Sequence, residues 1–133
     1  MKNMTIHKTT TDSEIARILA AIAAVRMPAQ PEEYQIHAAI ADALAEAGLS
    51  VEHEYRLGPR CRIDFCVGRV GIEVKKGRPS SSELTRQLRR YLESDALDAV
   101  IVVTQRVVSL PKTIWDKPVA LISLNRLWGV ALP

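Results

Sequence analysis

The stretch IDFCVGRVGIEVK, residues 63–75, decides how this chain is read. Gly68-Arg69 is a two-residue turn signal between two β-prone runs, so Val67 should face Val70 across a hairpin. Counting outward from that turn, Phe65 faces Ile72, Asp64 faces Glu73, Ile63 faces Val74 and Arg62 faces Lys75. Phe65, Ile72, Ile63 and Val74 make one coherent apolar face, which independently supports the register. The opposite face holds two carboxylates in direct opposition, with Cβ atoms about 5 Å apart, an arrangement that repulsion disfavours unless something compensates it. A bound divalent cation is the natural compensation, and Lys75, two residues beyond Glu73, projects from the same face toward the same anionic centre.

A third acid belongs to this neighbourhood. Residues 31–48 carry a helical stripe of Ile36, Ile40, Leu44 and Ala47, with Pro31 suited to its start and Gly48 to its C-terminal cap. At 100° per residue, Ile36, Ile40 and Leu44 fall within about 60° of Glu33, which places the Glu33 carboxylate on the face that packs inward. A charge there needs a partner, and a metal beside Asp64 and Glu73 would be one. Glu32 lies to the side, where water can reach it, and His37 stands one turn on from Glu33. His37 and His53 read more readily as partly buried structural histidines than as ligands.

Outward from the hairpin, Thr11 and Glu14 have capping-box spacing ahead of the stripe Ile15, Ile18, Leu19, Ile22 and Val25, so a first helix is expected before Pro28. Residues 1–10 lack periodicity and read as a flexible tail, leaving residues 11–133 as one domain. Residues 51–57 alternate as a strand broken by Gly58-Pro59, and residues 61–67 and 70–76 form the hairpin. Ser80 and Glu83 repeat the capping box before a helix with the stripe Leu84, Leu88, Tyr91 and Leu92. The run at residues 99–103 is apolar on both alternating sets, as in a strand covered on both faces. A short helix is expected after Pro111 and a last strand at residues 119–124.

Composition bounds the classes that remain. The 133 residues are 47% hydrophobic and 25% charged with a net charge of +3, which excludes a disordered polyelectrolyte. Two cysteines are too few for a disulfide framework or an all-cysteine metal site, and Cys61 and Cys66, of opposite parity in one strand, should point to opposite faces. The longest apolar run near the N-terminus, residues 18–25, falls well short of the roughly 20 residues that span a bilayer. The expectation is a cytoplasmic protein with no membrane partner. Charge is unevenly placed: Arg56 to Arg90 holds ten basic residues against three acidic ones, a segment of +7 in a chain whose remainder is −4. That is the footprint expected where a polyanion docks.

Ile63-Asp64 followed by Glu73-Val74-Lys75, with Glu33 on the preceding helix and Gln87 and Tyr91 on the following one, resembles the PD-(D/E)XK nuclease superfamily. The superfamily includes restriction endonucleases, Holliday-junction resolvases and small phage and prokaryotic nucleases. The resemblance covers residues 33–104 in the order helix, three strands, helix, strand, with Ile63 standing where the name motif has proline. It implies that Asp64 and Glu73 bind Mg2+, with Mn2+ expected to substitute, and that Glu33 completes the metal shell. It implies further that Lys75 activates the water or steadies the phosphate, and that Gln87 is the polar residue of the following helix. Arg60, Arg62, Lys76, Arg78, Arg86, Arg89 and Arg90 are then candidates for phosphate contacts.

The expected fold is a three-layer α/β domain, a restriction-endonuclease-like αβββαβ core with a mixed sheet flanked by helices, plus an extra N-terminal helix and a C-terminal strand. The expected activity is divalent-metal-dependent hydrolysis of phosphodiester bonds, DNA being the favoured substrate. The rival reading is a nucleic-acid-binding or assembly module on the same scaffold that does not cut. The first helix, outside the shared core, offers either a surface for a homodimer or a cover for the sheet.

Overall fold

The computed structural model describes residues 2–28 and 30–124, with side chains from residue 10 onward. Nine elements follow in chain order: α1 (Lys2–Ala23), α2 (Glu33–Glu46), β1 (Val51–Gly58), β2 (Cys61–Val67), β3 (Val70–Lys75), α3 (Ser81–Leu92), β4 (Ala99–Thr104), β5 (Thr113–Ile114) and β6 (Lys117–Ser123). The strands form one mixed sheet in the order β1-β2-β3-β4-β6-β5. Strands β1, β2 and β3 form an antiparallel meander, β4 runs parallel to β3 and to β6, and β5 is a short antiparallel edge.

The apolar run in β4 explains the layering. All six of its residues are buried, and they divide by parity. Ala99, Ile101 and Val103 pack with Ile18 and Ile22 of α1 and with Ile36, Ile40 and Leu44 of α2. Val100 and Val102 pack with Leu84, Leu88 and Leu92 of α3. A strand between two helical layers has no wet face, so neither alternating set can be polar. Helix α1 is therefore a cover for the sheet, with Ile18 and Ile22 fully buried.

Local chemistry sets the helix ends. Glu32 caps α2, its N–H donating to the Gln35 side chain at 2.8 Å, so Pro31 stands just before the cap rather than inside the helix. At the other end Gly48 takes φ 80°, its N–H donates to the Ala45 carbonyl, and the Leu49 N–H donates to the Leu44 carbonyl. That pair of bonds is a Schellman closure, which needs the left-handed conformation that glycine adopts without strain. Ser80 caps α3 as its spacing to Glu83 predicts, its hydroxyl accepting from the Glu83 N–H at 3.4 Å.

Three expectations are corrected. Helix α1 begins at Lys2, so residues 2–10 are helical and not a tail. Thr11 does not cap that helix: it is buried and donates to the Asp98 carboxylate at 3.4 Å, tying α1 to the entry of β4. The segment after Pro111 forms β5, with Ile114 opposite Lys117 across a Trp115-Asp116 turn. Both turn residues have positive φ, 55° and 61°. Two-residue turns of that kind usually advertise themselves through Asn or Gly, and this one does not.

Candidate active site

The hairpin register holds from the turn outward for three pairs, Val67 with Val70, Cys66 with Gly71 and Phe65 with Ile72. Gly68 takes φ 58° at the first turn position, where a glycine is favoured. At Asp64 and Glu73 the ladder stops and the strands part. The backbone groups released there are taken up by the two carboxylates: the Val74 N–H donates to Asp64 Oδ2 at 2.8 Å, and the Asp64 N–H reaches Glu73 Oε1 at 3.4 Å. The acids thus sit in the fork between β2 and β3, held by each other's strand.

A coordinated irregularity runs through β1 and β2 at the same level. Pairing between them skips Glu54 and Asp64, and Glu54 has φ 47°, a left-handed conformation rare for such a side chain. Across this point both strands exchange faces. Phe65 and Val67 pack with α1 and α2, whereas Ile63 packs with α3; likewise Val51 packs on the first side and Tyr55 and Leu57 on the second. Ile63 therefore does not share the face of Phe65 and Ile72, because strict alternation fails at the fork. For the same reason Cys61 and Cys66 both lie toward α3, as free thiols, instead of on opposite faces. Irregularities of this kind re-aim side chains and are frequent beside active sites.

Burial makes the fork electrostatically tense. The Glu73 side chain is 5% exposed and pairs with Lys75 Nζ at 3.1 Å. Burial first, and the Asp64 carboxylate second, push the Glu73 carboxyl up to about 7 despite Lys75. Asp64 is 26% exposed at its side chain, with His37 Nε2 3.9 Å from Oδ2. The His37 ring is held in place by Phe65, centroid to centroid 5.6 Å. From the α3 side Tyr91, buried, brings its hydroxyl to Glu73; burial and then the Glu73 charge raise its phenol, so it stays protonated and donates. Core residue and site residue are here the same side chain.

The acids open onto a cavity of about 420 Å3 walled also by Glu33, Tyr34, His37 and Lys75. Lys75 is the partition to a second cavity of about 430 Å3, lined by Ser80, Glu83, Arg86, Gln87 and Arg90. Gln87 and Arg90 in turn border a smaller one of about 90 Å3 with Arg60, Arg62 and Tyr91. Gln87 thus lines both arginine-bearing cavities, the larger of which it shares with Lys75. Glu33 reaches the first cavity but is exposed, not inward-facing, because it belongs to the first turn of α2, ahead of the buried Ile36. Of the basic candidates, Arg60, Arg62, Arg86 and Arg90 gather along the two cavities beyond Lys75, and Arg90 donates to the Arg60 carbonyl at 3.4 Å. Lys76 pairs with Glu32 at 3.8 Å, Arg78 is exposed in the β3–α3 loop, and Arg89, also exposed, leans over the Trp115 ring at 5.2 Å. Arg62 also stands 3.8 Å from Glu54.

Two contributors are absent from the hairpin motif. Gln105, at the exit of β4, accepts from the Gly77 N–H, and the Arg106 N–H donates to the Gly77 carbonyl at 3.3 Å, so the loop that carries Lys76 is pinned to the sheet. Tyr34 stands on the cavity wall with 72% of its surface exposed. Its signal in the sequence is an aromatic residue off the apolar stripe of α2.

Among the described residues no group of three His, Cys, Asp or Glu side chains is arranged to hold a metal ion. Two carboxylates are nonetheless the donor set Mg2+ ordinarily takes from a protein, the remaining positions going to water and substrate phosphate. Asp64 and Glu73, hard oxygen donors whose mutual repulsion a cation would relieve, fit that ion. No protein-family description, curated protein or solved structure matches this chain. No helix among the described residues is long and apolar enough to cross a membrane.

Proposed function

We propose that the protein is a divalent-metal-dependent nuclease of the PD-(D/E)XK type, with the restriction-endonuclease-like core as its fold and DNA as its favoured substrate. The observation that carries the reading is the fork: two carboxylates, one of them almost fully buried and pushed up to about 7, placed where the sheet opens onto a cavity bordered by a lysine and then by arginines. A structural role explains that arrangement less well, since a buried carboxylate beside a second one lowers stability and the Lys75 ion pair offsets only part of that cost.

In this reading Asp64 and Glu73 hold Mg2+ or Mn2+, and Glu33 and His37 face the same space from α2. The ion, when bound, supplies a water of lowered pKa and a counter-charge for the phosphate. Tyr91 fixes the orientation of Glu73 through its hydroxyl. Lys75 exchanges its ion pair with Glu73 for the phosphate oxygen on which charge builds, the kind of stabilisation that counts most in a site shielded from water. Gln87 and the arginines along α3 hold the neighbouring phosphates.

The non-cutting module has one observation in its favour, the closed Lys75–Glu73 ion pair at 3.1 Å, which partly neutralises the fork without a metal. Labelled DNA and RNA, single-stranded and duplex, incubated with Mg2+, Mn2+ or EDTA beside Lys75→Ala, separate the two. Cleavage that needs the metal and disappears in the variant is the expected result. Retention of nucleic acid without cleavage would establish the module instead.

A further inference from the structure

We infer that the site takes a single-stranded stretch of nucleic acid, with an unpaired base stacked on Tyr34 next to the phosphate held over Asp64 and Glu73. The inference rests on the nuclease reading for the position of that phosphate but not for the binding itself. Three observations lead to it. Tyr34 is 72% exposed on the wall of the carboxylate cavity, whereas a tyrosine of no function gains by burying its ring. The cavities joined through Lys75 differ in charge: beyond Lys75 the walls carry Arg86, Arg90, Arg60 and Arg62 against the single acid Glu83, whereas on the α2 side Glu33 is exposed beside Asp64 and Glu73. Glu32, also exposed, keeps Lys76 at 3.8 Å.

That polarity suits one strand and not two. A single strand can lay its backbone along the arginines and turn a neutral base toward Tyr34. A duplex reaching the same scissile position would bring its second phosphate backbone toward the exposed Glu33, where charge repels it. Stacking of a base on an aromatic ring is sequence-tolerant and supplies much of the affinity of single-strand binders, so Tyr34 would confer preference for form rather than for sequence.

The test uses a short oligonucleotide carrying 2-aminopurine, alone or annealed to its complement, bound to the whole protein in Ca2+ at low salt, where cleavage is suppressed. The expected result is tighter binding of the single strand with quenched 2-aminopurine fluorescence. Tyr34→Ala should weaken the single strand by about 10-fold and abolish the quenching, Tyr34→Trp should preserve both, and duplex binding should respond to neither. Equal loss for single strand and duplex in Tyr34→Ala, or no loss for either, would overturn the inference, as would failure of the wild type to bind any single strand. Tyr34-dependent binding without cleavage in Mg2+ would leave it standing and remove the nuclease reading.

Discussion

Glu73→Gln tests the fork most directly, because it keeps the shape and hydrogen-bonding reach of the side chain while removing its charge. In the folded protein the Glu73 carboxyl is pushed up to about 7 from an ordinary 4.5, by burial and by Asp64. The folded state therefore keeps its proton to higher pH than the unfolded chain does. Stability of the metal-free wild type accordingly falls as pH rises from about 4.5 to about 7 and stays low above that range. At about 1.4 kcal/mol per pKa unit the upper bound is about 3 kcal/mol, the Lys75 attraction being already contained in that shift, and part of the gain is lost because one end of the Gln amide cannot accept from Lys75 Nζ, leaving about 2 kcal/mol for Glu73→Gln at pH 8. For a chain of 133 residues that corresponds to a rise in Tm of about 7 °C. At pH 5, where the wild-type carboxyl is already protonated, the two proteins should melt close together. Thermal unfolding by circular dichroism in EDTA at both pH values measures this, and a titration with Mn2+ at pH 8 should raise the Tm of the wild type only. A Glu73→Gln protein less stable than wild type at pH 8, or a difference independent of pH, would make Glu73–Lys75 an ordinary stabilising ion pair.

Other substitutions probe the surroundings of the fork. Gly71→Ala should destabilise by about 1–3 kcal/mol in urea titration, because its new β-carbon would come within 2.5 Å of the Ile63 side chain and 2.9 Å of Leu97, both in a filled layer. Arg69→Ala should cost about 1 kcal/mol by the same assay, since Arg69 Nε meets Asp98 at 2.7 Å and joins the hairpin tip to β4 in a partly exposed pair. Glu54→Gly should stabilise by about 1 kcal/mol in the same titration, because glycine adopts the left-handed conformation without strain. Glu33→Gln should weaken Mn2+ binding in calorimetry by about 10-fold while Asp64→Asn abolishes it, as expected for an exposed acid that acts at the edge of the coordination sphere.

Much of this protein is legible without its tertiary structure, for local reasons. Turn geometry at Gly68-Arg69 and the period of two set the first three hairpin pairs, and the doubly apolar run of β4 requires helices on both faces. The Ser80 cap and the Gly48 closure follow from a single residue type each, so the order helix, helix, three strands, helix, strand is readable by pattern. What pattern does not contain is a break in its own rule. The exchange of faces at Glu54 and Asp64 places Ile63 and Cys61 on the α3 side, and it arises because β1, β2 and the layers above and below them must all be satisfied at once. The exposure of Glu33 is likewise tertiary: its helical angle is as calculated, but the first turn of α2 precedes the buried part of the stripe. The Trp115-Asp116 turn carries no glycine or asparagine to announce it, and Gln105 reaches the loop after Lys75 from a different strand. Pattern alone yields the central elements from α2 to β4 and picks out Asp64, Glu73 and Lys75 as candidates, because the turn sets which residues of β2 and β3 meet and the period of two places Lys75 on the side of Glu73. Packing, by contrast, decides that β2 and β3 part at those acids, that Glu73 is buried against Tyr91 with its carboxylate at the cavity, and that Tyr34 stands on the cavity wall. Those facts depend on packing between segments far apart in the chain, where no local period reaches.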